Sequence, residues 1–450
     1  MESEDEIYDE KVDFLSRVGK EASLHEAWRQ LNKSNADSYG LSGETISDFR
    51  LNLETKIPII SKSILEGKYK FSKNRASLIP KDNGKLRPLQ IPEIQDRLVL
   101  KSLAIQIERE LNHKLSKSKD VSFAYQKGVG IQNAMDKILE YYGQGYIWVL
   151  EADIVDFFGS VEKRRLLNEY VIPDLPNSPV NKLIEKALEQ KLDTSNIKKD
   201  DLKYFDGVEK GIPQGNPLSP LFSNIYLYKF DTYMIEQGYK LIRYADDFIV
   251  MLKSENEANI CFQKVLKFLK DDLGLDLHPL GGKSRIVKPD IDPLSFLSIN
   301  FDGKKLYPSS KNFSRFKDSI DSLCHADLNS RTVLEIIQRV KNALDGWLSS
   351  YFFTDVDRYF DELDSYVNKQ VYVALNKKDW KFSNSVRGKV KHKYRISSMS
   401  PDCLSDIQRK FSGIPFCKEI IIERRKTKSH RVVSAIEQAI AKVKIKNSAI

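Results

Sequence analysis

Three Asp-Asp pairs punctuate the sequence, and their neighbours separate one from the other two. Asp200-Asp201 lies in the lysine-rich stretch Lys198–Lys203, which reads as a solvated loop, and Asp271-Asp272 closes a helical pattern beside Lys267 and Lys270. Asp246-Asp247 instead stands between two apolar runs, Lys240–Tyr244 and Phe248–Met251, which read as the strands of a hairpin with carboxylates at its tip. Adjacent like charges held there repel and lose water, at a cost of several kcal/mol unless a cation neutralises them. A divalent metal is the natural cation. An exposed hairpin turn, where Asp is ordinary, is the competing reading of this motif alone.

A second acid strengthens the metal reading. Asp153 follows Tyr146–Leu150, a run short enough and rich enough in β-favouring residues to be a buried strand, and it lies 93 residues before Asp246. Two strand ends can thus bring three carboxylates together. That arrangement suits two Mg2+ ions about 4 Å apart, with Mn2+ as the alternative, acting on a 3′-hydroxyl and a phosphate in in-line displacement. The six histidines form no spaced cluster, so ordinary core or surface roles are expected of them.

The elements that must position these acids can be read around them. Residues 1 to about 60 carry apolar residues at helical spacing: Leu24, Ala27, Trp28 and Leu31, then Ile46, Phe49 and Leu53. Lys68 to Pro92 is strand-like and broken by the turn Lys81-Asp82-Asn83-Gly84. Helices are expected over 96–115, 217–237 and 255–273, with a Gly- and Pro-rich loop at Gly211–Pro217 before the second. Residues 310–375 read as mainly helical. Strands and helices do not alternate regularly, which predicts an α+β fold.

Composition bounds the function classes. The chain has 450 residues, 41% of them hydrophobic, and no low-complexity tract, so a globular protein with two to four structural units is expected. No apolar run approaches the ~20 residues of a bilayer helix, so no membrane partner is expected. The acidic start, Met1–Glu6, differs from a basic signal or transit peptide and points to the cytosol. Cys261, Cys324, Cys403 and Cys417 are scattered, without a C-x-x-C pair that would suggest a zinc site or disulfide framework. The net charge of +9 is unevenly placed: residues 376–450 carry +13 and the rest −4. Lys389, Lys391, Lys393, Arg395, Arg424 and Arg425, with Tyr394 among them, form the kind of cationic and aromatic surface that binds phosphate backbones; a merely solvated face is the alternative.

Taken in order, these segments resemble the reverse transcriptases. Tyr244-Ala245-Asp246-Asp247 is similar to the signature of the family's palm, and Asp153-Ile154-Val155-Asp156-Phe157-Phe158 to the block with the first catalytic Asp. The resemblance covers roughly residues 70–300 and implies the following roles. Asp153, Asp246 and Asp247 are catalytic and metal-binding, with Ile154 joining the metal set and Tyr244 contacting nucleic acid. Lys81 and Arg87, in Lys81-x-x-Gly84-x-x-Arg87-Pro88-Leu89, grip the incoming triphosphate. Phe158 is the steric gate that selects deoxynucleotides, and Gln214 and Gly215 line the nucleotide pocket. Lys283 faces the phosphates. Asp96-Arg97 and Ser122–Gly128 resemble two further blocks. Phe296-Leu297-Ser298 stands where the family has Phe-Leu-Gly, and Ser adopts glycine's torsions less easily.

The implied fold is a right hand with fingers, a palm built on an antiparallel sheet, and a helical thumb. The expected divisions are a helical N-terminal extension to residue 60, fingers and palm over 61–302, thumb over 303–378, and a basic RNA-binding region over 379–450. Leu344–Phe352 is similar to the thumb of group II intron and related bacterial enzymes. The implied activity is RNA-directed DNA polymerisation from deoxynucleoside triphosphates. The chain is most similar to defence-associated bacterial enzymes that copy a structured non-coding RNA in response to phage. Group II intron maturases and retron enzymes are the alternatives, although the retron signatures Asn-Ala-x-x-His and Val-Thr-Gly are not found.

Overall fold

The computed structural model describes residues 13–80, 84, 86–208, 210–380 and 403–427. The chain is α+β, and it divides into two compact units, one formed by residues 1–130 and 150–286 and the other by 131–149 and 287–450. Among the described residues no helix is long and apolar enough to cross a membrane.

The first unit opens with the helices Phe14–Gly19, Glu21–Gln30, Ile46–Leu51 and Leu53–Leu65. Thr45 and Asp48 form a capping box that starts the third of them. The apolar spacing seen in the sequence becomes one core with the long helix Ile94–Glu110: Leu24, Ala27, Phe49, Ile57, Leu98 and Leu103 are all buried. A three-stranded sheet follows, with β1 (Asn74–Pro80) antiparallel to β2 (Leu86–Ile91) and its other edge parallel to β4 (Leu192–Asp193). The register pairs Ile79 with Arg87.

The sheet that carries the acids has the order β5-β6-β3-β7, where β3 is Trp148–Ala152, β5 Lys240–Tyr244, β6 Asp247–Leu252 and β7 Arg285–Val287. Val149, Leu150, Leu241, Ile242, Ile249 and Val250 are buried. The helices Ser219–Glu236 and Glu255–Leu273 supply Phe230, Met234, Phe262 and Leu269 to the same core. The second of these helices is fixed at both ends: Ser254 accepts from the Glu257 amide, and Gly274 closes it with φ +66°.

In the second unit, β8 (Leu294–Phe296), β9 (Ile299–Phe301) and β10 (Leu306–Pro308) form an antiparallel meander. Helices Ser310–His325, Val333–Tyr351 and Phe360–Lys377 pack with Cys417–Thr427. Trp347 stacks on Phe316 at 4.8 Å and donates to Asn312 Oδ1 at 2.8 Å. The fully buried Arg409 is paired with Asp364 at 2.7 Å.

Candidate active site

The β5–β6 hairpin pairs Tyr244 with Asp247, leaving Ala245 and Asp246 as a two-residue turn. Ala245 takes φ +60°, a conformation usually filled by Gly or Asn. It is held from beneath by Arg243, whose guanidinium is buried and donates to the Ala245 carbonyl at 2.8 Å. The same guanidinium grips Asp231 through two bonds, 2.7 Å and 2.5 Å, and Asn224 Oδ1 at 3.0 Å. A bidentate pair with further bonds is the form in which a buried charge is tolerated. Arg243 and Asp231 were not singled out in the sequence, since an Arg inside a strand run carries no local mark.

Asp153 lies just past β3. Its carbonyl accepts from the His278 amide at 2.9 Å, the Val155 amide donates to Asp276 at 2.8 Å, and the Asp153 amide donates to Ser284 Oγ at 3.2 Å. Asp153 is thereby clamped to the 276–284 segment. Its carboxylate meets Lys283 Nζ at 2.9 Å and His278 Nε2 at 3.5 Å. The histidine was expected to have an ordinary role; the fold brings it to the site's edge, a proximity no sequence spacing encodes.

The acids feel one another. Loss of water, and then the charge of Asp153, raise the Asp246 carboxyl above its ordinary value, while Arg87 and Arg243 oppose the shift. Loss of water, followed by the charges of Asp246, Asp153 and Glu151, raises Asp247 to about 6. Glu151, two residues before Asp153 on the strand, is partnered by Arg285 at 2.8 Å. Arg87 is exposed on β2 yet acts on both acids of the turn, so it stands within electrostatic reach of them.

Family comparison places these elements together. Residues 79–301 match the family described as reverse transcriptase (RNA-dependent DNA polymerase). The chain carries a reverse transcriptase domain. Protein YkfC of Escherichia coli K12 is 29% identical over 211 residues, covering 46% of this chain and 52% of YkfC. The group II intron-encoded protein LtrA of Lactococcus lactis subsp. cremoris is 26% identical over 250 residues, covering 54% of this chain and 38% of LtrA. This chain therefore spans about half or less of these relatives' length. Among solved structures, a chain of the partial Cas6-RT-Cas1–Cas2 complex is 26% identical with a TM-score of 0.34, covering 58% of this chain and 43% of that one. Apo telomerase from Candida tropicalis is 12% identical with a TM-score of 0.42, covering 88% and 74%.

The reverse transcriptase domain positions the other expected residues as follows. Phe158, partly exposed, packs edge-on against buried Phe157 at 5.4 Å, and its carbonyl accepts from Ile212 at 2.8 Å. That bond docks the Gly211–Pro217 loop beside it. Gly215 has φ +108°, and a Cβ there would stand 2.6 Å from the Gln90 carbonyl oxygen, so only glycine lets the loop meet β2. The Gln214 carbonyl accepts from the Gln90 amide at 2.8 Å, while its side-chain Oε1 is buried with no hydrogen-bond partner among the described residues. Ile154 has a buried side chain, leaving its backbone as the only group it could offer a cation.

Asp96 is buried and accepts from Tyr69 and the Ser72 amide, and Arg97 donates to Pro92 and Ser38; both brace the helix entrance. Lys81, Lys389, Lys391, Lys393 and Arg395 lie outside the described residues. Arg424 and Arg425, expected on an RNA-facing surface, are committed to ion pairs with Asp345 and Asp357, each at 2.7 Å, and Arg425 also donates to the Phe352 and Thr354 carbonyls. These bonds tie the Cys417–Thr427 helix to its own unit, which counting charges does not show.

The three carboxylates brought together here offer oxygen, the chemistry that Mg2+ and Mn2+ select. Among the described residues, no three acidic, His or Cys side chains form a ready cage for one ion, and Lys283 holds the Asp153 carboxylate. The mutual repulsion of Asp246, Asp247 and Asp153, which with loss of water raises the two carboxyls of the turn, is what a divalent cation would relieve.

Proposed function

We propose that this chain is an RNA-directed DNA polymerase, adding deoxynucleotides to a 3′-hydroxyl on an RNA template and releasing pyrophosphate. The observation that carries this reading is the placement of Asp153 just past β3 and of Asp246 and Asp247 at the β5–β6 turn, on neighbouring strands of one sheet inside a reverse transcriptase domain. Asp153, Asp246 and Asp247, with the Ile154 backbone, would hold two Mg2+ ions. Bound there, such ions supply a more acidic 3′-hydroxyl and neutralise charge on the phosphate under attack. Lys81, Arg87 and Lys283 bind the triphosphate, and Phe158 excludes a 2′-hydroxyl. Gln214 and Gly215 line the nucleotide pocket, and Tyr244 contacts nucleic acid. Fingers and palm span 61–302, the thumb 303–378, and the 379–450 region binds RNA through Lys389, Lys391, Lys393, Arg395, Arg424 and Arg425.

The template in this reading is a structured non-coding RNA copied in antiphage defence, held by the +13 charge of residues 376–450. The likeness to the intron-encoded LtrA favours a second reading, in which intron RNA binding is primary and polymerisation secondary. Sequencing RNA and new DNA recovered with the protein, wild type against Asp246→Asn, separates them. A discrete RNA with both proteins, and its complementary DNA only with the wild type, supports the polymerase. RNA bound by both with no DNA from either overturns it and favours the intron-type role.

A further inference from the structure

The 121–128 segment enters the site without supplying any residue to the chemistry above. It runs beside β5: the Arg243 amide donates to the Val121 carbonyl at 2.7 Å, and the Phe123 amide donates to the Arg243 carbonyl at 2.9 Å. Asn224, itself bonded to the Arg243 guanidinium, donates to the Ala124 carbonyl at 3.0 Å, and Gln126 donates back to Ser122 at 3.0 Å. These bonds fix Tyr125 at φ +61°. A bulky residue rarely adopts that conformation, and it persists only where its surroundings over-determine it.

The result of this bracing is an exposed ring. Tyr125 is 50% exposed, and its hydroxyl makes no hydrogen bond among the described residues. Loss of water and the charges of Asp246, Tyr244 and Asp247 raise its phenol above the ordinary value, and Arg87 opposes them. The 121–126 segment is bonded to Arg243 of the strand that leads into the acid turn and to the Asn224 that holds its guanidinium, so Tyr125 stands on scaffolding shared with the turn itself.

Resting on the polymerase reading, we propose that Tyr125 is a specificity residue whose hydroxyl donates a hydrogen bond to the minor-groove edge of the base pair at the primer terminus. A side chain that serves every template can use only groups that every correct pair presents. Purine N3 and pyrimidine O2 are such acceptors, and both lie in the minor groove. An RNA–DNA hybrid approaches A-form, whose wide, shallow minor groove displays these edges. A mismatch displaces the acceptor, so a donor on a rigid, strained backbone senses pair geometry without reading sequence.

The test is extension of a DNA primer on an RNA template, with the primer ending in guanine or in 3-deazaguanine, which lacks the N3 acceptor. The wild type should slow about 3- to 10-fold on the deaza primer, the usual range for one hydrogen bond. Tyr125→Phe should slow by the same factor on the natural primer and lose nothing more on the deaza primer. Additive losses, or a wild type indifferent to the deaza base, overturn this proposal alone. Failure of the wild type to extend the natural primer overturns the polymerase reading and this proposal with it. Tyr125→Gly, for which φ +61° is unstrained, should melt no lower than wild type and be equally blind to the deaza base. A lower melting temperature with retained sensitivity would make Tyr125 a structural residue and overturn the proposal.

Discussion

Two tight hairpins in this molecule make turns without glycine, and they do so for different ends. The β5–β6 turn uses Ala245 at φ +60° and Asp246; the β8–β9 turn uses Leu297 at φ +54° and Ser298 at φ +65°. Beneath the first, the buried Arg243 binds the turn's own carbonyl while holding Asp231 and Asn224. The second has one backbone bond from outside the turn, the Ser309 amide to the Ser298 carbonyl at 2.9 Å. Strain under the acids is thus held by several bonds from one buried side chain, whereas strain at Leu297-Ser298 has only this backbone bond from outside the turn among the described residues. Ser298 adopts the torsion that the sequence reading doubted, without glycine's ease.

The comparison breaks most sharply at Asp246. Asp246→Asn should reduce primer extension by about 10³-fold, several kcal/mol of lost charge stabilisation, while folding is retained. Comparable residual activity in the variant would place the chemistry elsewhere. Arg243→Met should come next, destabilising the protein by about 3–5 kcal/mol in urea unfolding because Asp231 is left buried and unpaired. A loss under 1 kcal/mol would show that the turn stands without its brace.

The acids should also write themselves into the pH profile. Asp247 binds its proton more tightly folded than unfolded, so that contribution to stability is present below the ordinary value near 4 and disappears as pH rises through about 6. Asp247→Asn should therefore raise the melting temperature at pH 7.5 and leave it unchanged at pH 4. Added Mg2+ should stabilise the wild type above pH 6 and fail to do so below pH 5, where protons hold the carboxylates. A pH-independent difference between the two proteins would contradict the coupling. At the other hairpin, Ser298→Gly should gain a few tenths to about 1 kcal/mol by relieving the left-handed strain, read as a rise in melting temperature.

Where boundaries are written in local chemistry, they were legible. The 255–273 helix falls where its pattern placed it, between the Ser254 cap and Gly274. The strand before Asp153 begins two residues later than its apolar run suggests, at Trp148, because the Tyr146 amide is still bonded to the Tyr141 carbonyl of the preceding helix. The 96–115 helix breaks at Leu111 into Ile94–Glu110 and a short turn over Asn112–Leu115. Asp246 and Asp247 declared themselves by being charged among apolar neighbours. His278 and the Arg243–Asp231 pair did not, since each acquires its partner only when separate elements meet. Nor does sequence show which cations are ion-paired within the fold, as Arg425 is with Asp357.

The Lys283–Asp153 pair gives the site a counter-ion of its own. In the proposed reaction, loading the site is then partly an exchange: a cation that takes the Asp153 carboxylate frees the lysine's charge for a phosphate, and a phosphate that draws the lysine away frees the carboxylate for a cation. The two displacements favour each other by the same factor in either direction, as linkage demands. In the proposed reaction, cation and triphosphate would bind cooperatively, and a triphosphate arriving without its cation would find Lys283 already engaged.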